Sequence, residues 1–283
     1  MSTAADVRTY PAGVPCWVDT EQPDPEAACA FYAELFGWTC TDATPPEVPD
    51  SYWVATIDGR DVAALAPSTG APVAWNTYIA VDDVDAAAAR VAAHGGSVSG
   101  EPADVGPAGR AGRLAICADP EGAAFRLWQA GARLGAQLVN APGAWNFSHL
   151  RTGDPDRARA FYEGVFGWQH STMPGDVEMW RVQGYGDHLA ATADPEIYAR
   201  QANAPEGFAD VVAGAEHIDD GSGSPRWKVV FSVADRDRIA ATAERLGAEV
   251  LAARDTMWTR EANLRDPQGA ELTISQFAPP AEF

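Results

Sequence analysis

The sequence is short of positive charge, of paired cysteines and of long apolar runs, and each shortage removes a class of function. Lysine and arginine total 20 against 40 aspartates and glutamates, a formal charge of −20 over 283 residues. A field of that sign repels phosphate backbones and anionic lipid, so nucleic acid and membrane surfaces are poor partners. The four cysteines, Cys16, Cys29, Cys40 and Cys117, are scattered with no CxxC pair. They indicate neither a disulfide framework nor a structural zinc site and read as reduced thiols. No apolar run approaches the roughly 18 to 20 residues of a membrane span. The opening MSTAADVRTYPAGVP has no basic stretch leading into an apolar one, and the expected location is the cytoplasm. There is no GxSxG elbow, no GxxxxGK loop and no GxGxxG turn between a strand and a helix. Hydrophobic residues at 46% and charged residues at 21% are ordinary for a folded globular protein, and the length predicts two domains.

The chain repeats itself. Residues 24 to 38, DPEAACAFYAELFGW, and 154 to 168, DPDRARAFYEGVFGW, agree at nine of fifteen positions. VDDVDAAAARVAAHGG from Val81 returns as VADRDRIAATAERLGA from Val233, and DPEGAAFRLWQ from Asp119 as DPQGAELTISQ from Asp266. The order is the same in both halves, which marks a tandem duplication. The offset grows from 130 to 152, so the second half carries an insert, acidic and rich in Gly and Pro, expected as a long loop or lid over about 193–225. Within each half the hydrophobic period alternates between strand and helix. Asp24 is expected as an N-cap before Pro25, an Asp58-Gly59 turn joins Tyr52–Ile57 to Val62–Ala66, and His94 closes a helix ahead of Gly95-Gly96. Each half reads βαβββ twice. The second half places strands at Trp145–Arg151, Met179–Gln183, His188–Thr192, Trp227–Val233, Ala262–Arg265 and Glu271–Gln276. The expected boundaries are a tail over 1–12, domains over 13–130 and 143–278, a linker over 131–142 and a tail over 279–283.

A strand, then D-P-x-x-A-x-x-FY-x-x-x-(L/F)-G-W, a V-(D/A)-D-x-D strand-to-helix step and a D-P-x-G turn into a last strand resemble the vicinal oxygen chelate superfamily. Its glyoxalase, bleomycin-resistance and extradiol dioxygenase members include two-domain actinobacterial proteins of similar layout. The resemblance covers about Gly13 to Phe277, with every motif present twice. It implies an α+β fold: tandem domains, each of two βαβββ modules whose strands curl into a curved sheet around a cleft.

The superfamily's chemistry usually uses a divalent metal held by inward-facing His, Gln or Glu. Carried over one at a time, its ligand positions fall on Trp17, near Ala64, on Asn76 and on Arg126 in the first half. In the second half they fall on Phe147, near Ala191, on Lys228 and on Thr273. Neither set suits a cation, and the resemblance therefore implies no metal and no cofactor here. Strand alternation brings Asp19, Glu21, Tyr78 and Trp128 to the cleft face of the first half, and His149 and Arg151 to that of the second. Trp180, Trp227 and Trp258 are near in sequence. Arg126 and Asp19 are also candidates for an internal salt bridge.

The expected ligand-binding set is Trp17, Asp19, Asn76, Tyr78, Arg126, Trp128, Phe147, His149, Trp180, Lys228, Trp258 and Thr273. These residues describe a stacking cleft for a flat aromatic molecule, oriented by a few polar groups. The expected function is metal-independent binding of a small planar aromatic metabolite or drug, as accessory, carrier or self-resistance protein. The Ala, Arg, Asp and Pro bias resembles that of high-GC actinobacteria, which brings aromatic polyketides such as anthracyclines forward as ligands. The alternative is a lyase, isomerase or oxygenase on a related metabolite, with His149 and Asp19 as acid-base groups. A degenerate interaction module ranks third. A pathway enzyme is the candidate protein partner, and both monomer and homodimer stay open.

Overall fold

The structure, a computed structural model, describes residues 8–45, 51–68, 70, 72–218 and 223–279. Parts of the expected tails and of the insert therefore lie outside the described residues. Four βαβββ modules follow one another. The first is β1 (Pro15–Gln22), α1 (Pro25–Phe36), β2 (Thr39–Asp42), β3 (Trp53–Ile57) and β4 (Arg60–Pro67). The second is β5 (Trp75–Ala80), α2 (Val84–Ala93), β6 (Ser97–Val105), β7 (Gly112–Ala118) and β8 (Ala124–Ala130). The third comprises β9 (Trp145–Thr152), α3 (Pro155–Phe166), β10 (Gln169–Met173), β11 (Val177–Arg181), two short helices α4 (Tyr185–Thr192) and α5 (Ile197–Arg200), and β12 (Val211–His217). The fourth is β13 (Arg226–Ser232), α6 (Arg236–Arg245), β14 (Glu249–Asp255), β15 (Thr259–Arg265) and β16 (Glu271–Phe277). The strands make two eight-stranded mixed sheets, ordered β2-β3-β4-β1-β5-β8-β7-β6 and β10-β11-β12-β9-β13-β16-β15-β14. None of the helices among the described residues is long and apolar enough to cross a membrane.

The repeated motifs act locally as punctuation. Asp24 accepts the Ala27 N–H at 3.0 Å ahead of α1, and Asp154 accepts that of Arg157 at 3.1 Å ahead of α3. Each cap satisfies an N–H with no partner inside the helix. Gly37 (φ 76°) and Gly167 (φ 70°) end the same helices in the left-handed region, a conformation that costs a side-chain-bearing residue energy. His94 caps α2, as its place before Gly95 predicts.

By contacts the chain divides into two compact units, and each draws one module from each half. One holds Met1–Cys16, Thr77–Gly135 and Ser148–Trp227; the other holds Trp17–Asn76, Ala136–Phe147 and Lys228–Phe283. In each, the Tyr of the FY pair reaches the Asp of the other half's DPxG turn. Tyr162 Oη donates to Asp119 Oδ2 at 3.1 Å, and Trp227 Nε1 donates to Tyr162 Oη at 3.0 Å. In the second unit Tyr32 Oη donates to Asp266 Oδ2 at 2.8 Å and receives Trp75 Nε1 at 3.1 Å. The other oxygen of each Asp folds its own turn: Asp119 Oδ1 takes the N–H groups of Glu121 and Ala123, and Asp266 Oδ1 those of Gln268 and Ala270, all at 2.9 Å. Both phenols are fully buried, and burial above all pushes their pKa well up.

Burial also raises the Asp119 carboxyl, against the lowering effect of its hydrogen bonds. A folded pKa above the unfolded one means that stability from this group is complete below the unfolded value and is lost as pH rises through the folded value. The stability difference between wild type and Asp119→Asn is therefore expected to shrink with rising pH across the acidic range. Urea midpoints of the two proteins at several pH values measure it.

One predicted element is corrected. His188–Thr192 is not a strand but the second half of α4, because its apolar residues sit at helical spacing, with Tyr185 and Leu189 buried. The fourth strand of that module is β12. The expected insert contains α5 and β12 as well as loop, and the added chain between β11 and β12 begins earlier, just after β11.

Candidate functional site

On β1 burial is nearly continuous, and the polar side chains decide which way the strand faces. Thr20 donates to the Ala74 carbonyl and Gln22 reaches Asp266. By alternation Trp17, Asp19 and Glu21 point the other way. There Trp17 Nε1 donates to Tyr52 Oη at 2.8 Å, Tyr52 Oη donates to Asp19 Oδ2 at 3.1 Å, and Asn76 Nδ2 donates to Asp19 Oδ1 at 2.9 Å. Asp19 is 1% exposed. A buried carboxylate of this kind is tolerable because each oxygen accepts a hydrogen bond. Tyr52, just ahead of β3, was not among the predicted residues, although its place at the start of the first hairpin put it within reach of the neighbouring strands.

In the other unit β5 pairs in parallel with β8, setting Tyr78 beside Arg126 and Ala80 beside Trp128. Arg126 Nη1 donates to Tyr78 Oη at 2.9 Å, and its guanidinium carbon lies 5.3 Å from the Tyr78 ring centre. Trp128 meets Tyr78 edge-on at 6.3 Å and donates Nε1 to the Arg133 carbonyl at 2.9 Å. These three predicted residues form one cluster, two buried aromatic rings with a cation over one of them.

Along β9 exposure alternates, with Phe147, His149 and Arg151 half-buried and Ser148, Leu150 and Thr152 buried. The parallel register sets His149 beside Gly214 of β12 and Arg151 beside Glu216. His149 Nδ1 lies 3.5 Å and Arg151 Nε 3.8 Å from the Glu216 carboxylate. Gly214 is needed here: a Cβ would stand 2.8 Å from His149 Cδ2 and 2.9 Å from Nε2. Gly214→Ala is expected to turn the imidazole away from this position, seen as a changed His149 ring signal in NMR with the fold otherwise intact.

Register corrects two further predictions. Asp19 pairs with Ala64 as His149 pairs with Gly214, so the counterpart of Ala64 is Gly214 and not a position near Ala191, which lies in α4. Trp180 is not on the His149 face. Its neighbours across β11 are Ala213 and His170, whereas Met179 shares Gly214 with His149. The Trp180 ring packs instead against Tyr162 at 5.7 Å and Trp168 at 5.8 Å in the core beneath α3. Trp227 is spent there too, on Tyr162. In the fourth module Thr273 is 1% exposed and donates Oγ1 to Asn263 Oδ1 at 2.8 Å. It supports the sheet instead of presenting a hydroxyl. Lys228, the single lysine of the chain, is half-buried on β13, and Trp258 sits in the turn between β14 and β15.

Residues 22–127 match the glyoxalase/bleomycin resistance protein/dioxygenase superfamily, and residues 148–275 match a glyoxalase-like domain. The chain belongs to this superfamily. Among its relatives is "Putative glyoxylase CFP32" of Mycobacterium tuberculosis (strain CDC 1551 / Oshkosh), 39% identical over 95% of this chain and 97% of that one. Another is the anthracycline biosynthesis protein DnrV of Streptomyces peucetius, 32% identical over 94% of each chain. The Mn(II)-bound glyoxalase of Novosphingobium aromaticivorans has a similar fold, with TM-score 0.59 and 17% identity over 94% of this chain and 82% of that one. So has 2,2',3-trihydroxybiphenyl 1,2-dioxygenase of Sphingomonas wittichii strain RW1, with TM-score 0.58 and 16% identity over 96% and 94%.

The superfamily's usual metal does not fit the side chains at the positions that the resemblance assigns to its ligands. Trp17 and Asn76 point N–H donors at oxygen atoms, Arg126 is a cation, and Ala64 and Gly214 supply no donor atom. Phe147 has none to give, Lys228 is a second cation, and the Thr273 hydroxyl is bound to Asn263. Among the described residues no group of three or more His, Cys, Asp or Glu is close enough to hold a metal ion.

Proposed function

We propose that the protein binds a small planar aromatic metabolite without a metal, as an accessory, carrier or sequestering protein of natural-product metabolism. The observation that carries this reading is the Trp17–Tyr52–Asp19–Asn76 network. Where the superfamily places a metal ligand, this chain fixes an indole and a phenol through a buried carboxylate whose two oxygens both accept hydrogen bonds. Rings held in fixed orientation, with a few polar groups between them, are what a flat apolar ligand needs. The Tyr78, Arg126 and Trp128 cluster offers the same chemistry with a cation added. The anthracycline biosynthesis relatives point to a hydroxylated anthraquinone, the flat core of such compounds, as the first probe. Binding acts by mass action, lowering free ligand wherever the protein exceeds the dissociation constant.

His149 favours a second reading. An imidazole whose Nδ1 faces a carboxylate, here Glu216 at 3.5 Å, is the pairing that acid-base histidines use. The two readings separate on one variant. For a binding protein, His149→Ala removes a single hydrogen bond and is expected to cost about 0.5 to 1.5 kcal/mol of affinity for the anthraquinone in a fluorescence titration. For an enzyme, the same change abolishes turnover while affinity stays put.

A further inference from the structure

We propose that Cys29 and Cys40 form a modification site: a dithiol that a hydroperoxide converts to a disulfide, tying α1 to β2. Helix and strand periods bring the two sulfurs together. On α1, Cys29 stands three residues before Tyr32 and seven before Phe36, so all three lie on one helix face. Just ahead of β2, Trp38 stacks on Tyr32 at 5.2 Å and tilts against Phe36 at 5.3 Å. Burial alternates from there, with Trp38 buried, Thr39 exposed, Cys40 half-buried and Thr41 exposed. Cys40 therefore shares the Trp38 side of the strand, which α1 covers. The two thiols meet there in a hydrogen bond between their side chains. The duplication supplies an internal comparison. At the same places in the third module stand Arg159 on α3 and His170 on β10, both half-buried. The fold takes two large polar side chains there, so packing does not call for sulfur at either position.

The two thiols are unequal, and the difference assigns the steps. Cys40 is half-buried, whereas Cys29 is 8% exposed. Cys29 donates its S–H to the Cys40 sulfur; this bond holds the Cys40 thiol below the ordinary cysteine range and, together with burial, pushes Cys29 above it. Thiolate character and access make Cys40 the attacking sulfur. Its thiolate takes the terminal oxygen of the hydroperoxide, the O–O bond breaks, and the alkoxide or hydroxide leaves with the Cys40 proton as alcohol or water. The Cys29 sulfur then displaces hydroxide from the Cys40 sulfenic acid, and the Cys29 proton leaves with it as water. The two thiols together lose two electrons and two protons, and the peroxide takes up both. Cys16 and Cys117 are 0% and 1% exposed. Burial pushes the Cys117 thiol up to about 12 and that of Cys16 further, so neither competes.

The test is peptide mapping of the full chain after reduction, removal of the reductant, brief exposure to a few equivalents of hydrogen peroxide and alkylation of the remaining thiols. Cleavage after glutamate separates Cys29, on residues 27–34, from Cys40, on residues 35–47. These two peptides are expected to appear joined, with Cys16 and Cys117 alkylated. Before alkylation the intact mass is expected to fall by about 2 Da and to be restored by dithiothreitol. Cys40 is expected to lose its thiol at least about tenfold faster than Cys117. Cys29→Ala removes the second sulfur and keeps the readout on Cys40, which is expected to stop at a sulfenic acid, about 16 Da heavier and trapped by dimedone. Wild-type Cys40 that stops at the sulfenic or sulfinic acid while Cys29 is alkylated, a disulfide to another cysteine, or loss of the Cys40 thiol no faster than that of Cys117 overturns the proposal.

Discussion

Tyr162→Phe is expected to lower the folding free energy by about 3 kcal/mol, and Tyr32→Phe by about 2 kcal/mol. Each change deletes one oxygen and breaks two hydrogen bonds. The Asp carboxylate loses a donor, worth about 1.5 to 3 kcal/mol for a charged acceptor, and a buried indole N–H loses its acceptor. The difference between the two lies at the carboxylate. Asp266 Oδ2 also receives Gln22 Nε2 at 2.6 Å and keeps that bond when Tyr32 is altered, while Asp119 Oδ2 has Tyr162 as its donor. Urea unfolding followed by circular dichroism measures both. Equal losses, or a loss below about 0.5 kcal/mol for Tyr162→Phe, contradict this account of how the modules of the two halves are fastened within each unit.

Trp17→Ala is expected to weaken binding of a hydroxylated anthraquinone by about 2 kcal/mol, roughly thirtyfold, through loss of ring contact and of the hydrogen bond that fixes Tyr52. Trp17→Phe keeps most of the contact and loses the bond to Tyr52, and its cost is expected to be about a third of that. Trp180→Phe is the internal control. Its ring lies in the core beneath α3, so affinity is expected to stay within twofold of wild type while stability falls by about 1 kcal/mol. If Trp180→Phe weakens the ligand as much as Trp17→Ala, the assignment of faces is wrong.

The residues that carry short-range information were legible from sequence. Asp24 and Pro25 open α1 by capping chemistry, the β9 alternation puts Phe147, His149 and Arg151 on one face, and three duplicated motifs announce the four modules. What stayed hidden depended on register or on partners far along the chain. The added residues between β11 and β12 break the constant offset, and a short apolar stretch around Leu189 serves a helix as well as a strand, so counting lands near Ala191 instead of on Gly214. The better signal was Val211-Val212-Ala213, a β-prone run directly ahead of that glycine. Trp180 falls to the period of two, in which one residue decides between the His149 face and the core. Asp119 and Tyr162 each stood out as part of a motif, yet nothing local says that the turn of one half receives the phenol of the other. The partners of Asp19 were out of reach for the same reason, with Tyr52 supplied from beside β3 and Asn76 from β5.

The central claim is that the cleft residues bind a flat aromatic molecule by contact and hydrogen bonding, with no metal required. Its most direct test is tryptophan fluorescence of protein treated with a chelator and then titrated with the hydroxylated anthraquinone. The account expects saturable one-to-one quenching, with a midpoint that does not move when Mn(II), Fe(II) or Zn(II) is restored. Binding that is absent from the chelator-treated protein and appears only with one of those ions contradicts it.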